Sequence, residues 1–155
     1  MKLLTKIFGE TEISDDKILS FPKGIIGFPD LKRFALMYDE EKGTRNIQWL
    51  QSIDEPAFAM PVMDPLHVRE NYSPEVNDDV LEDIKPIDEN NTLVLVTVTV
   101  PHDLTKMTVN LKGPFLINAD TRVGVQVILD SDEYQVKYPI YDILKKMKEQ
   151  NTVMS

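Results

Sequence analysis

Residues Thr92 to Val100 read TLVLVTVTV, nine positions of Thr, Leu and Val with no Gly, Pro or charge. Residues of this type are favoured on the pleated, half-buried surface of a sheet. Side chains alternate along a strand, so Val94, Val96, Val98 and Val100 share one face and Leu93, Leu95, Thr97 and Thr99 the other. One face is apolar throughout and the other is apolar over half its length. That pattern fits the middle of a closed or double-layered sheet. Asn90-Asn91 and Pro101 punctuate its ends.

Downstream lie MTVNL (107–111), PFLIN (114–118), VGVQVIL (123–129) and EYQVKY (133–138), separated by Gly113-Pro114, Ala119-Asp120 and Asp130 to Asp132. Upstream, KLLTKIF and Glu12-Ile13 predict a hairpin around Gly9, and Ile18 to Phe21 a strand stopped by Pro22. Asp30 predicts a capped helical turn before a strand FALMY. Ile47 to Ser52, with the only Trp, predicts a strand that turns at Asp54-Glu55-Pro56 and returns through Ala57 to Met63. Pro61 inside the return predicts an edge or a bulge. Met37, Met60, Met63 and Met107 fall on strand-like segments and suit a core. Short strands at steady spacing predict a mainly β fold, a small antiparallel barrel-like single domain over residues 1–155.

Two helices complete it. NDDVLEDI (77–84) predicts a short helix capped by Asn77 or Asp78, burying Val80, Leu81 and Ile84. A C-terminal helix near 139–149 follows from Ile140, Ile143, Leu144 and Met147 at helical spacing. Pro139 suits its first turn, and Lys145, Lys146 and Lys148 its carbonyl end. This helix is expected to cover an open end of the β core, with residues 151–155 frayed. Leu66 to Pro74 is polar, mixed and expected to have little order.

The 155-residue chain suits one core and carries a net charge of −9. Such a chain repels phosphate backbones, so no direct nucleic-acid binding is expected. With no Cys there is neither a disulfide nor a thiolate site, which accords with a reducing compartment. The start MKLLTKIFGETEI is too polar for a signal peptide, and no apolar run nears the roughly 20 residues of a membrane span. A cytoplasmic protein follows as the expectation, with a monomer as its simplest state.

Catalytic signals are weak. His67 and His102 are distant in sequence, both in polar loops, and suit a surface better than a metal site. Ser20, Ser52 and Ser131 lack a nucleophile-elbow context, and Asp54-Glu55 is an ordinary acidic turn. Gly24-Ile-Ile-Gly27 matches an RNA-binding GXXG loop only in letters, since prolines flank it and the chain is acidic. The expectation is a protein that is not an enzyme, with no metal and no cofactor. The strongest local electrostatic feature is Asp78, Asp79, Glu82 and Asp83, four acids with no Lys or Arg among them. Asp39, Glu40 and Glu41 form a second acidic cluster.

Three stretches together resemble the bacterial flagellar assembly factor FliW family. They are ILSFPKGIIGF (18–28), WLQSIDEPAFAMPVMDP (49–65), and Leu93 to Pro101 followed by TVNLKGPFLIN (108–118) and Arg122-x-Gly124-x-Gln126. They run in order over nearly the whole chain. Where the family is apolar and aromatic after Asp-Pro, this chain has His67-Val68-Arg69-Glu70-Asn71.

The resemblance implies a β-barrel-like fold and a binding role. Proteins of this type bind the RNA-binding translational repressor CsrA and, in competition, flagellin, so that export of flagellin frees the factor to relieve repression. Net negative charge suits an antagonist of a basic RNA binder. Asp78, Asp79, Glu82 and Asp83, then Asp39, Glu40 and Glu41, are the expected contact residues. Phe21, Pro22, Gly24, Gly27, Trp49, Asn110 and Gly124 are read as fold determinants. A flagellin chaperone without a CsrA arm, and a small ligand-binding or hydrolytic barrel, are the alternatives.

Overall fold

The computed structural model describes residues 1–38 and 47–154, with side chains as far as residue 149. Its strands are β1 (Lys2–Thr5), β2 (Gly9–Glu12), β3 (Ile18–Ser20), β4 (Arg33–Met37), β5 (Gln48–Ser52), β6 (Ala59–Met63), β7 (Thr92–Thr99), β8 (Thr108–Val109), β9 (Phe115–Asn118), β10 (Val123–Gln126) and β11 (Tyr138–Pro139). Short 3-10 helices cover Asp15–Lys17, Pro65–His67, Asp78–Ile84 and Leu104–Lys106, and α1 spans Tyr141–Met154.

The uncharged β7 does what its composition predicts. It pairs with β6 on one edge and with β9 and then β8 along the other. The order β7-β6-β5-β4-β3-β10-β9 returns to β7 and closes a seven-stranded barrel. All joints are antiparallel except β3–β10, which is parallel and one residue pair long, Ser20 with Val123. The Ser20 N–H donates to the Arg122 carbonyl there at 2.8 Å.

The two faces of β7 enter different cores. Leu93 and Leu95 point into the barrel, which is filled by Phe21, Phe34, Leu50, Val62, Phe115 and Ile117, all essentially inaccessible. Phe21 stands edge-on to Phe34 and Phe115, with ring centroids 5.5 and 5.9 Å apart. Val94, Val96 and Val98 face a larger outer core with Val109, Leu111, Leu116, Val125, Leu129 and Ile140. A third, small cluster lies under the β1–β2 hairpin, where Leu3 and Ile13 pack on Ala35 and Ile53.

Several local expectations change. Pro61 sits inside the barrel wall, not on an edge. The Ser52 N–H donates to Phe58 at 2.9 Å, so alternation makes Trp49–Pro61 a non-hydrogen-bonded pair. The missing N–H of Pro61 therefore falls on the β7 side, where pairing begins only at Val62. Asp30 starts no helical turn and lies in a turn with Pro29 before β4. EYQVKY contributes only Tyr138 to a strand; Tyr134 is buried 4.6 Å from the ring of Tyr72, and the chain turns around it. Leu66 to Pro74 is ordered by its own apolar anchors. Val68 and Tyr72 are buried in the outer core, and the Tyr72 hydroxyl donates to the Leu111 carbonyl at 2.6 Å. Arg69, in the stretch that departs from the family pattern, pairs with Glu133 at 3.1 Å and lies 4.6 Å over the Tyr134 ring.

The C-terminal helix is longer than its apolar stripe predicts and runs to Met154. Lys145, Lys146 and Lys148 therefore lie mid-helix, and the helix continues through Asn151 where fraying is the expectation. Pro139 belongs to β11, one residue before Ile140. Ile143 and Leu144 pack on the outer core, so α1 covers that layer. No helix among the described residues is long and apolar enough to cross a membrane.

Candidate functional site

The barrel interior is lined by fully buried apolar side chains, and the polar features that can meet another molecule lie outside it. One face brings together the turn after β3, the Asp78–Ile84 helix and the far end of the β10 strand. The turn is shaped by its glycines. Gly24 has φ +70° and a Cβ there would strike the Pro29 backbone; Gly27 has φ +88°. Ile25 and Phe28 exchange main-chain hydrogen bonds of 2.9 and 3.3 Å around the tip Ile26-Gly27. Ile25 is buried, while Ile26 and Phe28 stand half exposed. Gln126 ties the tip to β10: its Oε1 accepts from the Ile26 N–H at 2.8 Å, and its Nε2 donates to the Gly113 carbonyl at 3.0 Å. This is a strand-end turn, unlike the helix-joining RNA clamp its letters suggest.

The second wall is Asp78–Ile84, and its pitch matters. At about three residues per turn, Leu81 and Ile84 share a face while Val80 is swung away. Ile84 is fully buried, Leu81 packs beside it, and Val80 is 40% exposed, so the expected stripe of three is a stripe of two. Asn77 leaves its cap unmade by side chain. Asn118 holds the helix end: its Nδ2 donates to the carbonyls of Ile84 and Pro86 at 2.8 and 3.0 Å, and its Oδ1 accepts from Asp120 and Thr121.

The expected acidic residues are exposed here, yet only half of them lack cations. Asp83 pairs with Lys23 at 3.6 Å and Glu82 with Lys85 at 3.5 Å. No described Lys or Arg pairs with Asp78 or Asp79. The second cluster, Asp39, Glu40 and Glu41, lies outside the described residues.

Between these walls and the β10 strand runs an open groove of about 710 Å³. Glu75, Val76 and Val80 line one side, and Gln126, Ile128 and Asp130 the other. A smaller recess of about 200 Å³ continues it beneath Ile26, past Lys23 and Asp83. Sequence reasoning missed this groove. The alternation in VGVQVIL was visible, but which edge of that strand stays open depends on β3, a hundred residues away.

The carboxylate turn is structural. Asp54 accepts from the N–H groups of Lys32 and Arg33 at 2.8 and 3.0 Å and from Arg33 Nε at 2.9 Å. Partial burial pushes its pKa up, but these bonds and the Arg33 charge outweigh it and hold the carboxyl below its ordinary range. Asp54 is thus tied to β4, not turned toward a cleft with Glu55, whose N–H donates to Ser52 Oγ at 2.9 Å. Gln51, fully buried, donates from Nε2 to the carbonyls of Ser52, Pro56 and Phe58. His67 and His102 are both exposed, and neither lines the groove.

Residues 2–140 match the family model described as FliW protein. A flagellar assembly factor FliW of Lachnospira eligens is 54% identical over 148 residues, which is 94% of this chain and 98% of that protein. The one of Lachnoclostridium phytofermentans is 47% identical over 143 residues, 92% of each. A solved structure described as the crystal structure of the flagellar assembly factor FliW superposes with TM-score 0.83 at 31% identity, covering 90% of this chain and 96% of that one.

Proposed function

We propose, on the premise that this chain belongs to the FliW family, that it serves flagellum assembly as a cytoplasmic regulatory factor that binds proteins and performs no catalysis. Its partners in this reading are the RNA-binding repressor CsrA and, in competition, flagellin. Flagellin held in the cell occupies the factor; flagellin exported releases it to CsrA.

The observation that carries the reading is the match at 54% identity over nearly the full length of both chains. Two physical features support it. Inside the barrel, Phe21, Phe34, Leu50 and Phe115 are fully buried against one another, an apolar core that offers a small polar ligand no convergent polar groups. The net charge of −9 favours encounter with a basic protein and disfavours the phosphate backbone that such a protein binds.

Titration calorimetry of the purified chain with CsrA, with flagellin, and with both in competition tests this. Saturable binding of each, with flagellin displacing CsrA, is the expected result. Heat with flagellin alone would reduce the reading to a chaperone, and no binding to either would end it.

A further inference from the structure

We propose that the open edge of the β10 strand, from Gln126 to Asp130, accepts an extended, basic segment of a partner protein as an added strand; this deepens the protein-binding reading above.

The argument begins with register. Val127 and Leu129 donate their N–H groups to the carbonyls of Pro114 and Lys112 at 3.0 and 2.8 Å, continuing the β9–β10 ladder past Gln126. Main-chain groups of alternate residues point to opposite edges. Those of Gln126 and Ile128 therefore point away from β9. On that side β3 pairs with β10 only at Val123 and then leaves through the turn at Pro22. No described residue hydrogen-bonds the main chain of Ile128. The groove of about 710 Å³ runs along this edge, leaving space where a further strand would lie.

An unpaired strand edge with room beside it is a template for strand addition, in which main-chain bonds supply affinity and side-chain pockets specificity. Val80 and Ile128 stand exposed along the groove and Ile26 beside it, offering apolar contacts to alternate positions of the incoming segment.

Charge selects the occupant. Glu75 and Asp130 line the groove, and Asp78 and Asp79 lie beside it on the helix. Lys23, the cation in the lining, is engaged by Asp83. The site therefore favours Lys or Arg in the segment. A second copy of this chain would bring the same acids edge to edge and is disfavoured.

The test is a display library of random linear peptides selected on the full chain. Enrichment of peptides that alternate apolar residues with Lys or Arg is expected. Their affinity should fall roughly tenfold or more on Ile128→Pro, which removes an edge N–H without touching the β9 ladder, and little on Ile128→Val. Amide exchange in the wild-type chain gives a second readout that needs no variant. A saturating peptide should slow exchange at Gln126 and Ile128 while leaving the already bonded Val127 and Leu129 unchanged. Peptides insensitive to Ile128→Pro with no new protection at Gln126 and Ile128, an empty selection, or a concentration-dependent dimer that Ile128→Pro abolishes would each overturn the proposal. Binding of intact CsrA and flagellin is scored separately, so its failure removes the proposed function while an edge-bound peptide still supports this site.

Discussion

Gly124 lies against the ring of Phe21 so closely that a Cβ at 124 would sit 2.6 Å from Cε1 and 2.8 Å from Cζ. Phe21 is fully buried in the barrel core and edge-on to two other rings. Gly124 itself carries no positive φ, so its requirement is for space and not for backbone freedom. Gly124→Ala should therefore destabilise the fold by about 1–3 kcal/mol through overpacking. Urea midpoints measure this, and a variant as stable as the parent would show that the seam between β3 and β10 yields easily.

Asn118 joins a barrel strand to the end of the helix beside the groove through two donated hydrogen bonds, and its Oδ1 accepts two more from the turn that follows its own strand. Asn118→Asp keeps the shape and both accepting roles but loses the donors, placing a carboxylate against the Ile84 and Pro86 carbonyls. It should cost more than Asn118→Ala, which itself should cost about 1–3 kcal/mol, mainly for the buried Ile84 carbonyl left without this donor, since the Pro86 carbonyl still accepts from Asn91 Nδ2. Chemical denaturation of both variants gives the order. If Asp proves the milder change, the amide is not donating as described.

Much of this was readable in advance, and what was not has a common cause. The alternation from Leu93 to Val98 identified a strand with two buried faces, and both faces are core. Lys85 stands three residues from Glu82, so that ion pair was within reach of the sequence; Lys23, which answers Asp83, is sixty residues away and was not. Pro61 was misread because edge status belongs to a strand's neighbours, here a β7 ladder that starts one residue later. Val80 was misread because a helical pattern does not declare its pitch, and the tighter turn exposed it. Tyr72 and Tyr134 sit in polar stretches, and their mutual packing, 4.6 Å between rings, appears only when the chain is folded.

Asp54 predicts an acid-sensitive element of stability. Partial burial raises its pKa, but the bonds from Lys32 and Arg33 and the Arg33 charge lower it further, so the folded value lies below the unfolded one. The stability this adds is complete above the unfolded pKa of about 3.9 and drains away as pH falls through the folded value. Asp54→Asn should lose about 1 kcal/mol at neutral pH, a modest figure because the turn meets solvent. Its stability should then vary less than the parent's below about pH 4. Parallel profiles for parent and variant would assign the acid sensitivity elsewhere.

The last prediction separates the acids that the sequence grouped together. Glu82 and Asp83 are engaged by Lys85 and Lys23, whereas Asp78 and Asp79 are exposed and unmatched by any described cation. Reversing the first two would break ion pairs and confuse structure with encounter. Asp78→Lys with Asp79→Lys leaves those pairs intact and should cost about 1 kcal/mol of folding stability, because both acids lie in the first turn of the helix, where negative charge is favoured. The double variant should slow association with CsrA by about 3–10-fold at low ionic strength, where long-range attraction speeds encounter. Near 0.15 M salt the Debye length is about 8 Å, so the difference from the parent should shrink. Stopped-flow association across a salt series measures both effects. Equal rates at every salt concentration would remove these two carboxylates from the encounter, and the helix would then serve the neighbouring groove only as a wall.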